Sequence, residues 1–312
     1  MFALLFPGQG SQRPGMGEAW HDHPSWHLVT TLSEAVGRDL AWLLLGASAE
    51  ELQATRNAQL ASYTLGLVAL DALRTSGSWP GLQAGLVATA GHSLGEYCAL
   101  VAAGALTPAE GAQLVLARGE AMQAASELHP GTMAAVLGPE LGQVAKACQQ
   151  AEGVWVANDN APGQVVIAGR HDGVERAGAA ALELGAKRVV PLKVGGAFHT
   201  PLMRSAQGPL DAALAGASFS APRFPVVANV DAQAHRDGFG PLLSAQLCSQ
   251  VRWRESLLTL AAMGTRLFVE LGPGTELSGM VKRTVPQALR ANIAKPDDLG
   301  TLAKQLSGLE AG

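Results

Sequence analysis

Gly91-His92-Ser93-Leu94-Gly95 places a serine between two glycines, directly after the apolar run Leu86–Ala90. A hydroxyl in that setting is a candidate nucleophile for acyl transfer. The G-x-S-x-G pattern suits a sharp strand-to-helix turn where only glycine permits close backbone approach. The Ser93 Oγ is then exposed, and the following N–H, of Leu94, faces a developing oxyanion. Five-residue matches also arise by chance in glycine-rich turns. Here the apolar strand before it and the helical Gly95–Ala103 after it favour the functional reading.

A serine hydroxyl needs a base, and the chain has eight histidines. His21, His23 and His27 crowd the stretch HDHPSWH, which reads as a solvated loop without carboxylate or thiol partners at metal-site spacing. His129, His171 and His235 stand beside Pro, Asp or Arg in polar, turn-like contexts and read as surface. His92 adjoins the serine, but adjacent side chains at an elbow are expected to diverge. His199, in GGAFHTPLM, follows glycines and a small residue and precedes a helix-starting Thr-Pro. Alone it would be a packed structural histidine; with an elbow serine upstream it becomes the best base. An α/β-hydrolase would supply an acid between serine and histidine. Asp159 lies in that interval but inside an inserted segment, and Glu270 lies after the histidine at a strand end. Neither completes a triad, so the pattern points to a dyad whose histidine is oriented by a backbone carbonyl.

These residues must be carried by strands and helices. FALLF (2–6) reads as a buried strand ending in the turn PGQGSQ, and Leu60–Leu73 as a largely apolar helix. Thr107-Pro108-Ala109-Glu110 has the N-cap, proline and glutamate of a capping box. The helix it opens carries Ala112, Val115, Leu116, Gly119 and Met122 at a helical period, with Arg118 at the edge of that stripe. From spacing alone Arg118 would be a snorkelling surface residue. The rhythm then changes: TMAAVLG (strand), 139–151 (helix), VWVAND and QVVIAG (strands), 174–184 (helix) and KRVVPLKV (strand) give β-α-β-β-α-β. That is the ferredoxin-like order. The expectation is an α/β protein with a large domain over 1–128 and 195–312, interrupted by a small subdomain over 129–194. In the second part, 224–230 and 266–272 read as strands, 242–262 as a helical stretch, GPGTELSG as a turn into a helix, and the last fifteen or so residues as a polar terminal helix.

With 312 residues, 48% hydrophobic and 15% charged, the chain can bury a sizeable core. A formal net charge of −4 without a basic stripe argues against nucleic acid. The N-terminus has no basic n-region of a signal peptide, and no run reaches membrane-span length. Cys98, Cys148 and Cys248 are odd in number and far apart, which reads as three reduced thiols in a cytoplasmic protein without metal.

FPGQGSQ (6–12), GHSLGEY (91–97), LARGEAMQ around Arg118, NDNAPGQVVIAG (158–169), GAFHTPLM (196–203) and ELGPG (270–274) occur in that order. Together they resemble the malonyl-CoA:acyl carrier protein transacylases of fatty acid synthesis and the related acyltransferase domains of polyketide synthases, over essentially the whole chain. The resemblance implies an α/β-hydrolase-like large domain with a ferredoxin-like insert. It implies Ser93 as acyl carrier, His199 as base, Gln9 with the N–H of Leu94 as oxyanion hole, and Arg118 as the grip on the malonyl carboxylate. In the pattern QLCSQVRW it makes Gln246, rather than Gln250, the residue whose carbonyl orients the histidine. Phe198 resembles the malonyl-selective form of its motif, whose ring would crowd a methyl branch. One departure is Leu60 in Ala58-Gln59-Leu60-Ala61, where members of the family often have proline, so the local backbone is expected to differ.

The implied substrates are malonyl-CoA and acyl carrier protein, with no bound cofactor, nucleic acid or membrane, and a monomer is expected. Carrier proteins are acidic, so docking calls for a local basic patch, drawn from Lys187, Arg188, Lys193, Arg204, Lys282 and Arg283. The alternatives are a serine thioesterase or hydrolase, or a trans-acting acyltransferase of a polyketide or malonate decarboxylase system.

Overall fold

The computed structural model describes residues 1–77 and 79–302. Ten strands among them form two sheets. The first contains β1 (Phe2–Phe6), β2 (Leu86–Gly91), β7 (Val226–Val227), β8 (Ala234–His235), β9 (Leu267–Leu271) and β10 (Leu289–Ile293), in the order β10-β9-β1-β2-β7-β8. The second contains β3 (Thr132–Leu137), β4 (Val154–Ala161), β5 (Gln164–Gly169) and β6 (Arg188–Pro191), in the order β4-β5-β3-β6. The chain is a mixed α/β protein.

β1 is buried along its whole length because it lies between β2 and β9, parallel to both. A central parallel strand is covered on both faces, so it is written as an unbroken apolar run. Its side chains still alternate: Phe2, Leu4 and Phe6 enter one core, Ala3 and Leu5 the other. The helices Thr55–Thr75, Gly95–Ala103 and Pro108–Leu128 fill the first core, and Trp253–Ala262 and Glu276–Thr284 the second. Thr107 and Glu110 close the capping box read from the sequence.

The second sheet is antiparallel throughout. One face packs on the helices Leu141–Gln149 and His171–Glu183 through Ala134, Val136, Val165 and Ile167. The other face, with Met133, Ala135 and Val166, looks toward the first sheet. β4 is joined to the larger part by backbone: Asp159 N–H donates to Val251 at 2.9 Å, and Val251 N–H donates to Ala157 at 2.8 Å.

Several elements differ from their sequence readings. Of 224–230, only Val226–Val227 stay in the ladder, because the chain turns at Asn229 toward β8. The stretch 242–262 is two helices, Phe239–Gln246 and Trp253–Ala262, separated where Val251 bridges to β4. The helix read from Leu60 starts earlier, at Thr55, so Leu60 is its sixth residue, where proline would remove a helical hydrogen bond. The expected terminal helix lies mostly outside the described residues; 298–302 are helical. His235, read as turn-like, lies in β8, and HDHPSWH, read as a loop, ends at His27, the first residue of the helix His27–Val36; β10 and the helix Gln207–Ala215 had no sequence reading.

Candidate active site

β2 ends at Gly91 and the helix Gly95–Ala103 begins four residues later, so Ser93 sits on the turn between them. Sterics dictate the flanking glycines. A Cβ on Gly91 would lie 1.9 Å from the Gly95 carbonyl, and one on Gly95 2.0 Å from the Phe6 carbonyl oxygen. Ser93 adopts φ 51° and His199 φ 60°, left-handed conformations that cost a non-glycine residue about 1–3 kcal/mol each. Strain at these two positions is tolerated only where the surroundings fix it.

Ser93 Oγ lies 2.7 Å from His199 Nε2, and His199 Nδ1 lies 2.9 Å from the carbonyl oxygen of Gln246. A carbonyl only accepts, so Nδ1 carries the proton and Nε2 presents its lone pair to the serine hydroxyl. The helix Phe239–Gln246 ends at Gln246, so its carbonyl, which accepts only the long 3.4 Å bond of the Ser249 N–H from the backbone, turns toward the imidazole. Burial, and then the nearby Arg118 charge, push His199 down to about 3, against the pull of the Gln246 carbonyl. The imidazole is neutral at physiological pH.

Neither acid reaches it. Asp159 is paired with Arg254 at 2.9 Å, and Arg254 also meets Glu140 at 2.9 Å. Glu270 instead accepts the Leu277 and Ser278 N–H groups at 3.1 and 2.8 Å, capping the helix Glu276–Thr284.

Arg118 is 1% exposed, so the reading from spacing alone, a surface side chain, is corrected. Its helix is covered by Thr55–Thr75 and by the segment after His199. Nη2 donates to Ser93 Oγ at 3.1 Å and to Gln246 Oε1 at 3.0 Å, and the guanidinium carbon lies 5.8 Å from the Tyr97 ring centroid. No carboxylate lies within 4 Å of it among the described residues, and its Nε is buried without a partner. Glu96, reached through Gln246, has its carboxyl pushed by burial up to about 7. A buried cation held this way has no carboxylate in direct contact, and Glu96 acts on it only across Gln246.

Ser93 and His199 open into a cleft of about 240 Å³. Gln9, His92, Met122 and Phe198 line it from the larger part, and Met133, Ala135 and Val166 from the second sheet. The N–H groups of Gln9 and Leu94 find no acceptor among the described residues. His92 lines the cleft but takes other partners than Ser93: its Nε2 lies 2.8 Å from Asn160 Oδ1 and 3.4 Å from Asn158 Nδ2, because β4 crosses over the elbow. The sequence reading also passed over Glu96 and Asn229, both buried against the elbow. The only local signal was position, Glu96 three residues after the serine and Asn229 closing an apolar strand.

The remaining candidates lie elsewhere. His21, His27, His129 and His171 are exposed, and His23 and His235 half-buried. No group of three or more His, Cys, Asp or Glu is arranged for a metal among the described residues. Cys98, Cys148 and Cys248 are free thiols. Lys187, Arg188, Lys193, Arg204, Lys282 and Arg283 are all exposed, and Lys193 is flanked by the cleft residues Leu192 and Val194.

Known proteins share this architecture. A family model described as acyl transferase domain matches residues 3–311. The chain is 40% identical over 305 residues to the malonyl CoA-acyl carrier protein transacylase of Bacillus subtilis, covering 95% of this chain and 94% of that one. The structure of an acyl-carrier-protein S-malonyltransferase from Bartonella henselae superposes with a TM-score of 0.93 at 32% identity, covering 98% and 100% of the two chains. A malonyl-transacylase solved in complex with its type II PKS acyl-carrier protein gives 0.89 at 35% identity, covering 97% and 99%.

Proposed function

The chain belongs to the acyl transferase domain family, and from that premise we propose that it moves the malonyl group of malonyl-CoA to the phosphopantetheine thiol of acyl carrier protein, through a malonyl ester on Ser93, for fatty acid synthesis. The observation that carries this reading is Arg118. A buried guanidinium with no carboxylate in contact, 3.1 Å from the nucleophile, suits an acyl group that brings its own carboxylate.

In the first half-reaction His199 Nε2 takes the Ser93 hydroxyl proton as Oγ attacks the thioester carbonyl. Gln9 and the Leu94 N–H receive the oxyanion. The carbon–sulfur bond then breaks and His199 returns the proton to the departing coenzyme A thiol. In the second half the carrier thiol, mostly protonated at its ordinary value of about 8.5, gives its proton to the same nitrogen and attacks the ester. Ser93 leaves and is reprotonated. Gln246 keeps the imidazole in the needed tautomer throughout. Phe198 crowds the acyl end of the cleft and disfavours a methyl branch.

The fold assignment that goes with this reading is an α/β-hydrolase-like domain over 1–128 and 195–312, with a ferredoxin-like subdomain over 129–194. The antiparallel order β4-β5-β3-β6 and the separate core of the insert support it. The same reading takes the protein as a cytoplasmic monomer. Its three free thiols fit a reducing compartment, and no helix among the described residues is long and apolar enough to cross a membrane.

Intact-protein mass spectrometry after mixing with malonyl-, methylmalonyl- or acetyl-CoA tests the assignment. One malonyl adduct, absent in Ser93→Ala and weak with the other two thioesters, is expected. Rapid release of free malonate without adduct would reassign the protein as a hydrolase. Equal methylmalonyl loading would remove the role given to Phe198.

A further inference from the structure

The left-handed backbone at Ser93 has no glycine to relieve it, so neighbouring groups must hold it in place. The side chain of Asn229 does so from both directions. Its Oδ1 accepts the Ser93 N–H at 2.7 Å, and its Nδ2 donates to the Gly91 carbonyl at 2.7 Å. One amide therefore spans the turn on either side of the nucleophile, and the next N–H, that of Leu94, keeps no acceptor among the described residues.

We propose that Asn229 is a positioning residue for acyl transfer, locking the turn so that Ser93 Oγ faces His199 and the Leu94 N–H faces the oxyanion. This rests on the reading of Ser93 as the nucleophile. Asn229 is itself immobilised. It is 0% exposed, its N–H donates to Glu96 Oε2 at 3.0 Å, and its carbonyl accepts the Arg252 N–H at 2.9 Å. The same Glu96 oxygen accepts Gln246 Nε2 at 2.8 Å, and Gln246 carries the carbonyl behind His199. The clamp on the nucleophile and the support of the base thus converge on one carboxylate oxygen. The chemistry also selects the residue type. Aspartate would keep the acceptor but offer no donor to Gly91, and an apolar side chain would strand two backbone groups.

The experiment compares the unaltered protein with Asn229→Ala and Asn229→Asp. It measures kcat and KM for malonyl transfer, malonyl-adduct formation by intact mass, and the thermal midpoint. Asn229→Ala is expected to lower kcat about 100-fold while KM for malonyl-CoA stays within about threefold. Asn229→Asp keeps the bond to Ser93 and should hold about tenfold more activity than the alanine variant. An asparagine that only packs the interior would lower the thermal midpoint and leave kcat per folded molecule unchanged. A kcat within about threefold of the unaltered protein, or a loss confined to KM, overturns the proposal. If neither variant folds, the unaltered protein decides. With serine-selective nitrogen labelling, the Ser93 amide, identified by its absence in Ser93→Ala, should exchange with deuterium at least about 100-fold more slowly than an open amide. Fast exchange overturns the proposal. Absence of a malonyl adduct in the unaltered protein would defeat the functional reading itself, whereas a normal adduct with unaffected variants defeats only the role of Asn229.

Discussion

A guanidinium buried with no carboxylate in contact is costly to keep. Arg118 therefore makes a two-sided prediction. Arg118→Ala should lower kcat/KM for malonyl-CoA by about 100-fold or more, while the thermal midpoint holds or rises because an uncompensated charge has left the interior. Acetyl loading should gain relative to malonyl loading, and Arg118→Lys should recover little, since a single ammonium lacks the planar fork. Steady-state kinetics with both thioesters and a melting curve check all three. His199 governs the pH dependence. Its folded value is depressed to about 3, so the base is already neutral well below pH 6. The single-turnover acylation rate should show no limb near the ordinary histidine value of about 6.5, falling only as the pH drops toward the depressed value. An inflection near neutrality would belong to Glu96, pushed by burial up to about 7, and should vanish in Glu96→Gln. A limb at about 6.5 that persists in that variant would show that His199 is not depressed in the folded protein, leaving its role as base to the Ser93 geometry.

At the level of elements, what could be read in advance was whatever short-range pattern dictates. FALLF announced β1 because both of its faces are buried, and Thr107 with Glu110 announced the start of the helix bearing Arg118. The glycines around Ser93 announced the elbow, since a side chain at either would meet backbone. What escaped depends on partners far along the chain. Asn229 reaches Ser93 across 136 positions, and Gln246 reaches Glu96 across 150. No local period encodes such a meeting. The break between the helices ending at Gln246 and starting at Trp253 was likewise hidden, because Val251 is drawn out of helix by a bridge to β4. The partners of His92, Asn158 and Asn160, were hidden for the same reason, since they belong to the other sheet.

In the whole molecule, the cleft is the seam between two parts stitched along β4 by backbone bonds to Val251 and by Arg254 bridging Asp159 and Glu140. The helix Glu276–Thr284 borders that seam through Leu277 and Met280 and carries the exposed Lys282 and Arg283, with Arg283 bonded to Gln164 of the second sheet. If an acidic carrier docks there, its KM should rise several-fold as salt increases from about 0.05 to 0.3 M. Alanine at the six basic positions should flatten that dependence, whereas alanine at the exposed Lys146 and Lys295 should leave it intact. A flattening produced only by the latter pair would place docking elsewhere. The second sheet has a further consequence for engineering. Along β3 and β5 the side chains that roof the cleft, Met133, Ala135 and Val166, alternate with those that hold the insert together, Ala134, Val136, Val165 and Ile167. Met133, Ala135 and Val166 are therefore the positions to redesign for a bulkier or branched cargo, and their immediate neighbours are the ones to leave. A library restricted to the roofing positions would search acyl-group choice without spending its members on unfolded protein.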